Sequence, residues 1–89
     1  MNESLNGLDR RWKLECNPDR LTCELRFVSF AEAFAFMTQV ALLAEKLDHH
    51  PDWRNSYSLV VISLTTHDAG GLSERDFEFA RNVDQILTR

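Results

Sequence analysis

Three histidines are the side chains of this 89-residue chain best suited to proton transfer. His49 and His50 are adjacent, and His67 lies further along the chain beside a Gly-containing stretch. An imidazole gains and loses a proton near neutral pH, so these groups can act as general acids and bases. Carboxylates occur close to them in the sequence, namely Glu45, Asp48, Asp68 and Asp76. A carboxylate can orient an imidazole, but the sequence leaves open which carboxylate serves which ring.

A metal site is the competing interpretation of the same cluster. His67, one of the adjacent histidines and Asp76 could supply its ligands. Two neighbouring imidazoles rarely bind one ion together, and the chain contains neither an HxxxH nor an HxH spacing. We therefore favour acid–base chemistry over metal binding.

Alternating and helical patterns predict the elements that hold the first two histidines. Polar and apolar residues alternate on both sides of a turn sequence, which predicts a β-hairpin over residues 12–27. The period becomes helical at Ser29, which begins a capping-box motif. We expect this helix to span about 19 residues and to end near Asp48, because Pro51 disfavours helical geometry at His50.

The second half of the chain predicts a further strand and helix around His67. The run from Ser58 to Thr66 is apolar on both faces at its middle, so one face should meet the helices. The other face is a candidate for burial in a subunit interface. Residues 53–56 are expected to form a short strand or an extended lead-in. The last helix should begin at Ser73, with Asp76 as its capping partner. The order β-β-α-β-α, with one more short strand allowed, indicates an α+β fold.

Composition and charge exclude several classes of protein. The chain has 10 Lys and Arg against 14 Asp and Glu, so it lacks the cationic surface that nucleic acids and anionic membranes attract. No run approaches the ~20 apolar residues of a membrane-spanning helix. Residues 1–10 are expected to be a loosely ordered arm that is not a signal peptide, and residues 11–89 a single domain. We expect a cytoplasmic protein.

The two cysteines point to the same compartment. They are too few for a disulfide scaffold and lack metal-ligand spacing. In the predicted hairpin Cys16 would face Leu21 and Cys23 would face Leu14, so the thiols would not be opposed. We predict that both stay reduced, as is usual in a cytoplasm.

One ordered set of motifs runs through the histidine cluster. It consists of Glu45-Lys46-Leu47-Asp48-His49-His50-Pro51-Asp52-Trp53, Asn55, Tyr57, Leu64-Thr65-Thr66-His67, Gly71-Leu72-Ser73 and Asp76. The stretch Ala33-Phe34-Ala35-Phe36-Met37 precedes it. In order and spacing this set closely resembles the pterin-4a-carbinolamine dehydratases, from about Trp12 to the C-terminus.

The resemblance implies a fold, a reaction and a set of site residues. It implies an antiparallel four-stranded sheet with helices packed on one face, no metal, no cofactor, and a homodimer or homotetramer. The reaction would convert a 4a-hydroxytetrahydropterin to quinonoid dihydropterin and water, in tetrahydrobiopterin recycling. The catalytic residues would be His49, His50 and His67, with His50 positioning substrate or assisting protonation. The substrate-binding residues would be Glu45, Asp48, Pro51, Trp53, Thr66, Asp68, Ala69 and Asp76.

A second function comes from a different class. Some members of this family act as protein-binding cofactors, so the alternative is a non-catalytic coactivator or regulator of hydroxylase expression. Its protein partner would be a transcription factor or a hydroxylase. A protein that only binds partners would show no pterin protection of the histidines.

Overall fold

The structure is a computed structural model that describes residues 7–88, and its central feature is a four-stranded sheet. The elements in chain order are β1 (Trp12–Glu15), β2 (Arg20–Arg26), α1 (Phe30–Leu47), β3 (Asp52–Ser56), β4 (Leu59–Leu64), a 3-10 turn (His67–Ala69) and α2 (Glu74–Leu87). The predicted α+β class and the antiparallel sheet are confirmed, and the uncertain segment near residue 53 is a strand. Most of the arm predicted for residues 1–10 lies outside the described residues.

The sheet has the strand order β1-β2-β4-β3, and every neighbouring pair is antiparallel. On the central strand β4, Val60, Ile62 and Leu64 are fully buried, whereas the three residues that alternate with them, Leu59, Val61 and Ser63, are half-buried. This difference follows from helices that cover one face and leave the other open. Burial of the open face in a subunit interface stays a prediction.

The register of the predicted hairpin differs from the expectation. Leu14 pairs with Leu21, and Cys23 pairs with Trp12. The reason is that residues 16–19 form the turn, one position earlier than the predicted 17–20, and moving the turn by one residue changes each pairing by two. A shift of two residues leaves each side chain on its expected face, because side chains along a strand alternate with a period of two.

The first helix ends where the site begins. The Ser29 hydroxyl accepts a hydrogen bond from the backbone N–H of Glu32 at 3.2 Å, which is one half of the predicted capping box. The helix is 18 residues long, because Asp48 adopts the left-handed conformation (φ 51°) and its N–H closes the last turn. The chain therefore leaves the helix axis immediately before His49.

The core fills the space between the sheet and the two helices. Its largest fully buried apolar side chains are Phe79, Leu21, Ile62, Leu64, Val40, Val60 and Val83. At one end, the Trp12 indole donates to the Asp84 carboxylate at 2.8 Å and so joins β1 to α2. Neither helix in residues 7–88 is both long enough and apolar enough to cross a membrane.

Candidate active site

His49 is held inside the protein by a buried carboxylate. The residue is 8% exposed, and Asp76, in the first turn of α2, is completely buried. His49 Nε2 lies 2.6 Å from Asp76 Oδ1. The imidazole also packs edge-on against Phe79, with ring centroids 6.2 Å apart. One nitrogen of this ring is therefore committed to Asp76.

Asp76 collects hydrogen bonds on both of its oxygens. Its Oδ2 accepts from the Thr66 hydroxyl at 2.8 Å and from the Ser73 backbone N–H at 3.0 Å. The Ser73 bond confirms the predicted role of Asp76 at the start of the helix. Because an ionised carboxylate only accepts hydrogen bonds, His49 Nε2 is assigned as the proton donor to Oδ1. In this tautomer His49 Nδ1 carries the lone pair of the ring.

His50 forms a second imidazole–carboxylate pair, on the surface. Its Nε2 lies 2.7 Å from Glu45 Oε2, and the two side chains are 58% and 77% exposed. In the sequence Glu45 lies one helical turn before His49. The left-handed residue Asp48 instead directs His49 inward and leaves His50 beside Glu45. The structure thus decides a pairing that the sequence left open.

His67 stands at the start of an exposed loop. It is the first residue of the 3-10 turn, where Asp68 and Ala69 are also exposed. The loop is closed by paired backbone hydrogen bonds between Thr66 and Gly71, at 2.7 and 3.2 Å. His67 directly follows Thr66, whose hydroxyl reaches Asp76. The loop is therefore tied to the carboxylate that holds His49.

Within residues 7–88, no side-chain hydrogen bond joins the predicted site residues Asp48, Pro51 and Trp53 to this cluster. Asp48 is exposed, and its carbonyl accepts a hydrogen bond from the Arg75 guanidinium. Pro51 is half-buried. Trp53 is half-buried on β3 and packs against the core, so packing is the interaction that the structure shows for it.

Sequence reasoning missed two residues that support the site. Arg75 of α2 holds the end of α1 through Asp48, and the Thr65 hydroxyl donates to the carbonyls of Asp19 and Gly71, at 3.0 and 3.2 Å. Both contacts join segments that are far apart in the chain or separated by a loop. No periodicity or spacing signal encodes such contacts.

A large concavity of about 540 Å³ lies elsewhere, on the open face of the sheet. Strand residues such as Thr22, Glu24 and Val61 line it, and no histidine does. Within residues 7–88, no group of three or more His, Cys, Asp or Glu is placed to hold a metal ion. The candidate site is accordingly assigned from side-chain geometry and not from cavity size.

Whole-chain comparison decides the family to which this arrangement belongs. The family model described as pterin 4 alpha carbinolamine dehydratase matches residues 1–86. The chain belongs to this family. The resemblance read from the ordered motifs is thereby confirmed, and membership in the carbinolamine dehydratase family supports dehydratase activity in general terms.

Two carbinolamine dehydratase relatives match most of the chain. One, from Synechococcus sp. strain WH7803, is 50% identical over 84 residues, which are 94% of this chain and 88% of the relative. The other, from Rhizobium johnstonii, is 49% identical over 78 residues, which are 88% and 77% of the two chains. Both are provisionally named pterin-4-alpha-carbinolamine dehydratase.

Solved structures extend the family to proteins with other roles. A protein from Brucella melitensis, described as a transcriptional coactivator/pterin dehydratase, has a TM-score of 0.90 and 44% identity, covering 97% of this chain and 90% of its own. A pterin dehydratase-like protein, described as a RuBisCO assembly factor in the alpha-carboxysome, has a TM-score of 0.75 and 27% identity, covering 86% and 89%. The carbinolamine dehydratase fold therefore also occurs in a protein described as an assembly factor.

Proposed function

We propose that this chain dehydrates a 4a-hydroxytetrahydropterin to quinonoid dihydropterin and water, in tetrahydrobiopterin recycling. The observation that carries the proposal is the buried His49–Asp76 pair, in which Nε2 and Oδ1 lie 2.6 Å apart. The next residue along the chain, His50, is exposed. This arrangement combines an imidazole bonded to a buried carboxylate with a second imidazole open to solvent, in a chain of the dehydratase family.

The reaction needs one base and one acid. The base takes the proton from N5 of the pterin, and the electrons of that N–H bond form the C4a=N5 double bond. The C4a–O bond breaks, and the acid protonates the departing hydroxyl so that it leaves as water. Imidazoles suit both roles because they titrate near neutral pH.

The geometry supports a division of these roles among the histidines. His49 acts as the base through Nδ1, since Nε2–H donates its hydrogen bond to Asp76. His67, exposed at the start of its loop, acts as the acid and exchanges protons with water. His50 positions the substrate or assists protonation, and Glu45 orients its ring. The proposed substrate contacts are Glu45, Asp48, Pro51, Trp53, Asp68 and Ala69. Asp76 is fully buried and bonded to His49 and Thr66, so the two other predicted contacts, Asp76 and Thr66, act from behind His49.

A coupled assay tests the proposal directly. An aromatic amino-acid hydroxylase generates the 4a-hydroxytetrahydropterin, and the formation of quinonoid dihydropterin is followed with and without this protein. We expect clear acceleration over the spontaneous reaction. An unchanged rate at micromolar protein would overturn the proposed function.

Variants of the two proton-transfer residues test the assignment within that assay. His49→Ala and His67→Ala should each lower turnover by about 10²–10⁴-fold while the chain stays folded. Arg81→Gln is the matched control, because it breaks only the exposed ion pair between Arg81 and Glu74, at 2.9 Å on α2. Near-wild-type turnover in both histidine variants would show the acid–base assignment to be wrong.

The alternative, a non-catalytic protein-binding cofactor, is favoured by one surface. Phe30, Phe34 and Leu42 of α1 are 46%, 55% and 68% exposed, and the first two rings pack 5.8 Å apart. Chemical modification of the histidines, with and without a tetrahydropterin, discriminates between the two functions. Protection by the pterin supports catalysis, whereas equal modification supports a role in binding proteins alone.

The same α1 surface supports a homodimer or homotetramer, because exposed aromatic rings gain free energy when a second copy covers them. Phe34→Glu would place a charge in that surface. We expect sedimentation equilibrium to give a multiple of the chain mass for the natural sequence and a smaller mass for the variant. Equal masses would argue against this interface.

A further inference from the structure

Thr66 joins the two segments that carry the proposed proton-transfer histidines. It lies between the end of β4 and the 3-10 turn. Its N–H donates to the Gly71 carbonyl at 2.7 Å, and its own carbonyl accepts from Ala69 and Gly71 at 3.1 and 3.2 Å. These bonds close the loop that contains His67, the residue directly after Thr66. The backbone of Thr66 therefore sets the path of that loop.

The side chain of Thr66 points the other way, to the carboxylate behind His49. Its hydroxyl donates to Asp76 Oδ2 at 2.8 Å and lies 2.8 Å from the Ser73 hydroxyl, which consequently donates to it. Asp76 Oδ1 is in turn 2.6 Å from His49 Nε2. A hydroxyl, a carboxylate and an imidazole thus form one continuous hydrogen-bonded chain.

We infer that Thr66 is a positioning residue that aligns His49, through Asp76, with the loop that carries His67. The inference rests on the proposed function, and it gives the Thr66 hydroxyl an inward role in place of the predicted contact with substrate. A carboxylate held at one oxygen can turn about its Cβ–Cγ bond, and donors on the second oxygen restrain that rotation. Restraint matters because a misplacement of about 1 Å can cost about 10²-fold in rate.

Substitutions at two threonines, one in the site and one away from it, test this role. Thr66→Val keeps the shape and removes the hydroxyl, so we expect kcat to fall about 10–100-fold, as for other partners that orient an imidazole. KM should change far less, and Thr66→Ser should restore kcat. Thr38→Val is the control, because that exposed hydroxyl donates to the Phe34 carbonyl within α1 and contacts neither Asp76 nor the His67 loop. An equal loss in Thr38→Val, or no rescue by Ser, would overturn the inference.

A spectroscopic measurement separates this inference from the proposed function. The ¹⁵N shifts of the His49 ring should show a proton fixed on Nε2 in the unmodified chain and a mixture of tautomers in Thr66→Val. These shifts do not depend on turnover, so an inactive chain that shows them would refute the dehydratase proposal while supporting the role of Thr66. If Thr66→Val does not fold, the ¹⁵N shifts of the unmodified chain still test the inference. A His49 ring protonated mainly on Nδ1 in that chain would show the inference to be wrong.

Discussion

The protein contains two histidine–carboxylate pairs in different settings. His49–Asp76 lies inside the fold and His50–Glu45 lies on its surface, with nearly equal nitrogen–oxygen distances of 2.6 and 2.7 Å. The side chains of the first pair are 9% and 0% exposed, and those of the second are 58% and 77% exposed. Distance alone therefore does not distinguish the roles of the two pairs, whereas burial does.

Burial changes what each pair can contribute. Water competes for the hydrogen bonds of an exposed pair, and both long side chains lose rotamer freedom when they pair, so the net gain in stability is small. In the interior no water replaces a lost partner, so loss of Asp76 should cost far more stability than loss of Glu45. Four predictions test this contrast, beginning with the largest expected effect.

The largest effect should be on turnover. His49→Gln should lower kcat by about 10²–10⁴-fold, because the proposed base is lost. His50→Gln should act mainly on KM, since His50 is proposed to position the substrate. Steady-state kinetics in the coupled assay, with circular dichroism to confirm folding, measure both. If the two variants lose kcat equally, the division of roles is wrong.

The second-largest effect should be a difference in stability between variants of the two carboxylates, Asp76 and Glu45. Asp76→Ala strands the donors of Thr66, Ser73 and His49 in the interior, so the free energy of unfolding should fall by about 3–5 kcal/mol. Glu45→Ala removes an exposed partner and should cost less than about 1 kcal/mol. Urea denaturation of both variants at pH 7 gives the comparison, and similar losses would contradict it.

The two cysteines repeat the contrast between interior and surface. Cys16 is exposed and should react with iodoacetamide in the folded protein, whereas Cys23 is 2% exposed and should react only on unfolding. Burial raises the pKa of the Cys23 thiol from 9.0 to about 12. Between these values the unfolded chain loses the thiol proton and the folded chain keeps it, so stability should fall as pH rises through this range.

Cys23→Ala provides the control for that pH dependence. The variant should be less stable at neutral pH because a core side chain is shortened, but its stability should fall less steeply above pH 9, the ordinary value from which the Cys23 pKa is raised. Denaturation midpoints at several alkaline pH values measure the slope. Identical slopes in the two proteins would show that Cys23 does not contribute to it.

The smallest effect should be the response of the pairs to salt. A double-mutant cycle on His50 and Glu45 should give a coupling of about 0.2–1 kcal/mol at low ionic strength. That coupling should approach zero at about 1 M salt, where the Debye length is only about 3 Å. The coupling of His49 to Asp76 should persist, because the pair is shielded from ions. Equal salt sensitivity would remove the distinction between the two pairs.

Local patterns predicted much of the fold because their causes are local. The capping serine at residue 29, the proline at residue 51 and the alternation of the strands act within a few residues, and each predicted element is present. The hairpin register was predicted wrongly because it depends on which four residues form the turn, which are 16–19 and not 17–20. Alternation determines the face of a side chain but not its partner across the ladder.

The sequence by itself determined the order of the elements, the family motifs and the inventory of three histidines with nearby carboxylates. Only the tertiary structure decided that Asp76 holds His49 from 27 residues away, that Glu45 turns to His50, and that Thr66 connects to Asp76. The physical reason is that these contacts arise where α2 packs beside the end of α1 and the loop after β4. Such packing depends on the whole core, and no local spacing encodes it.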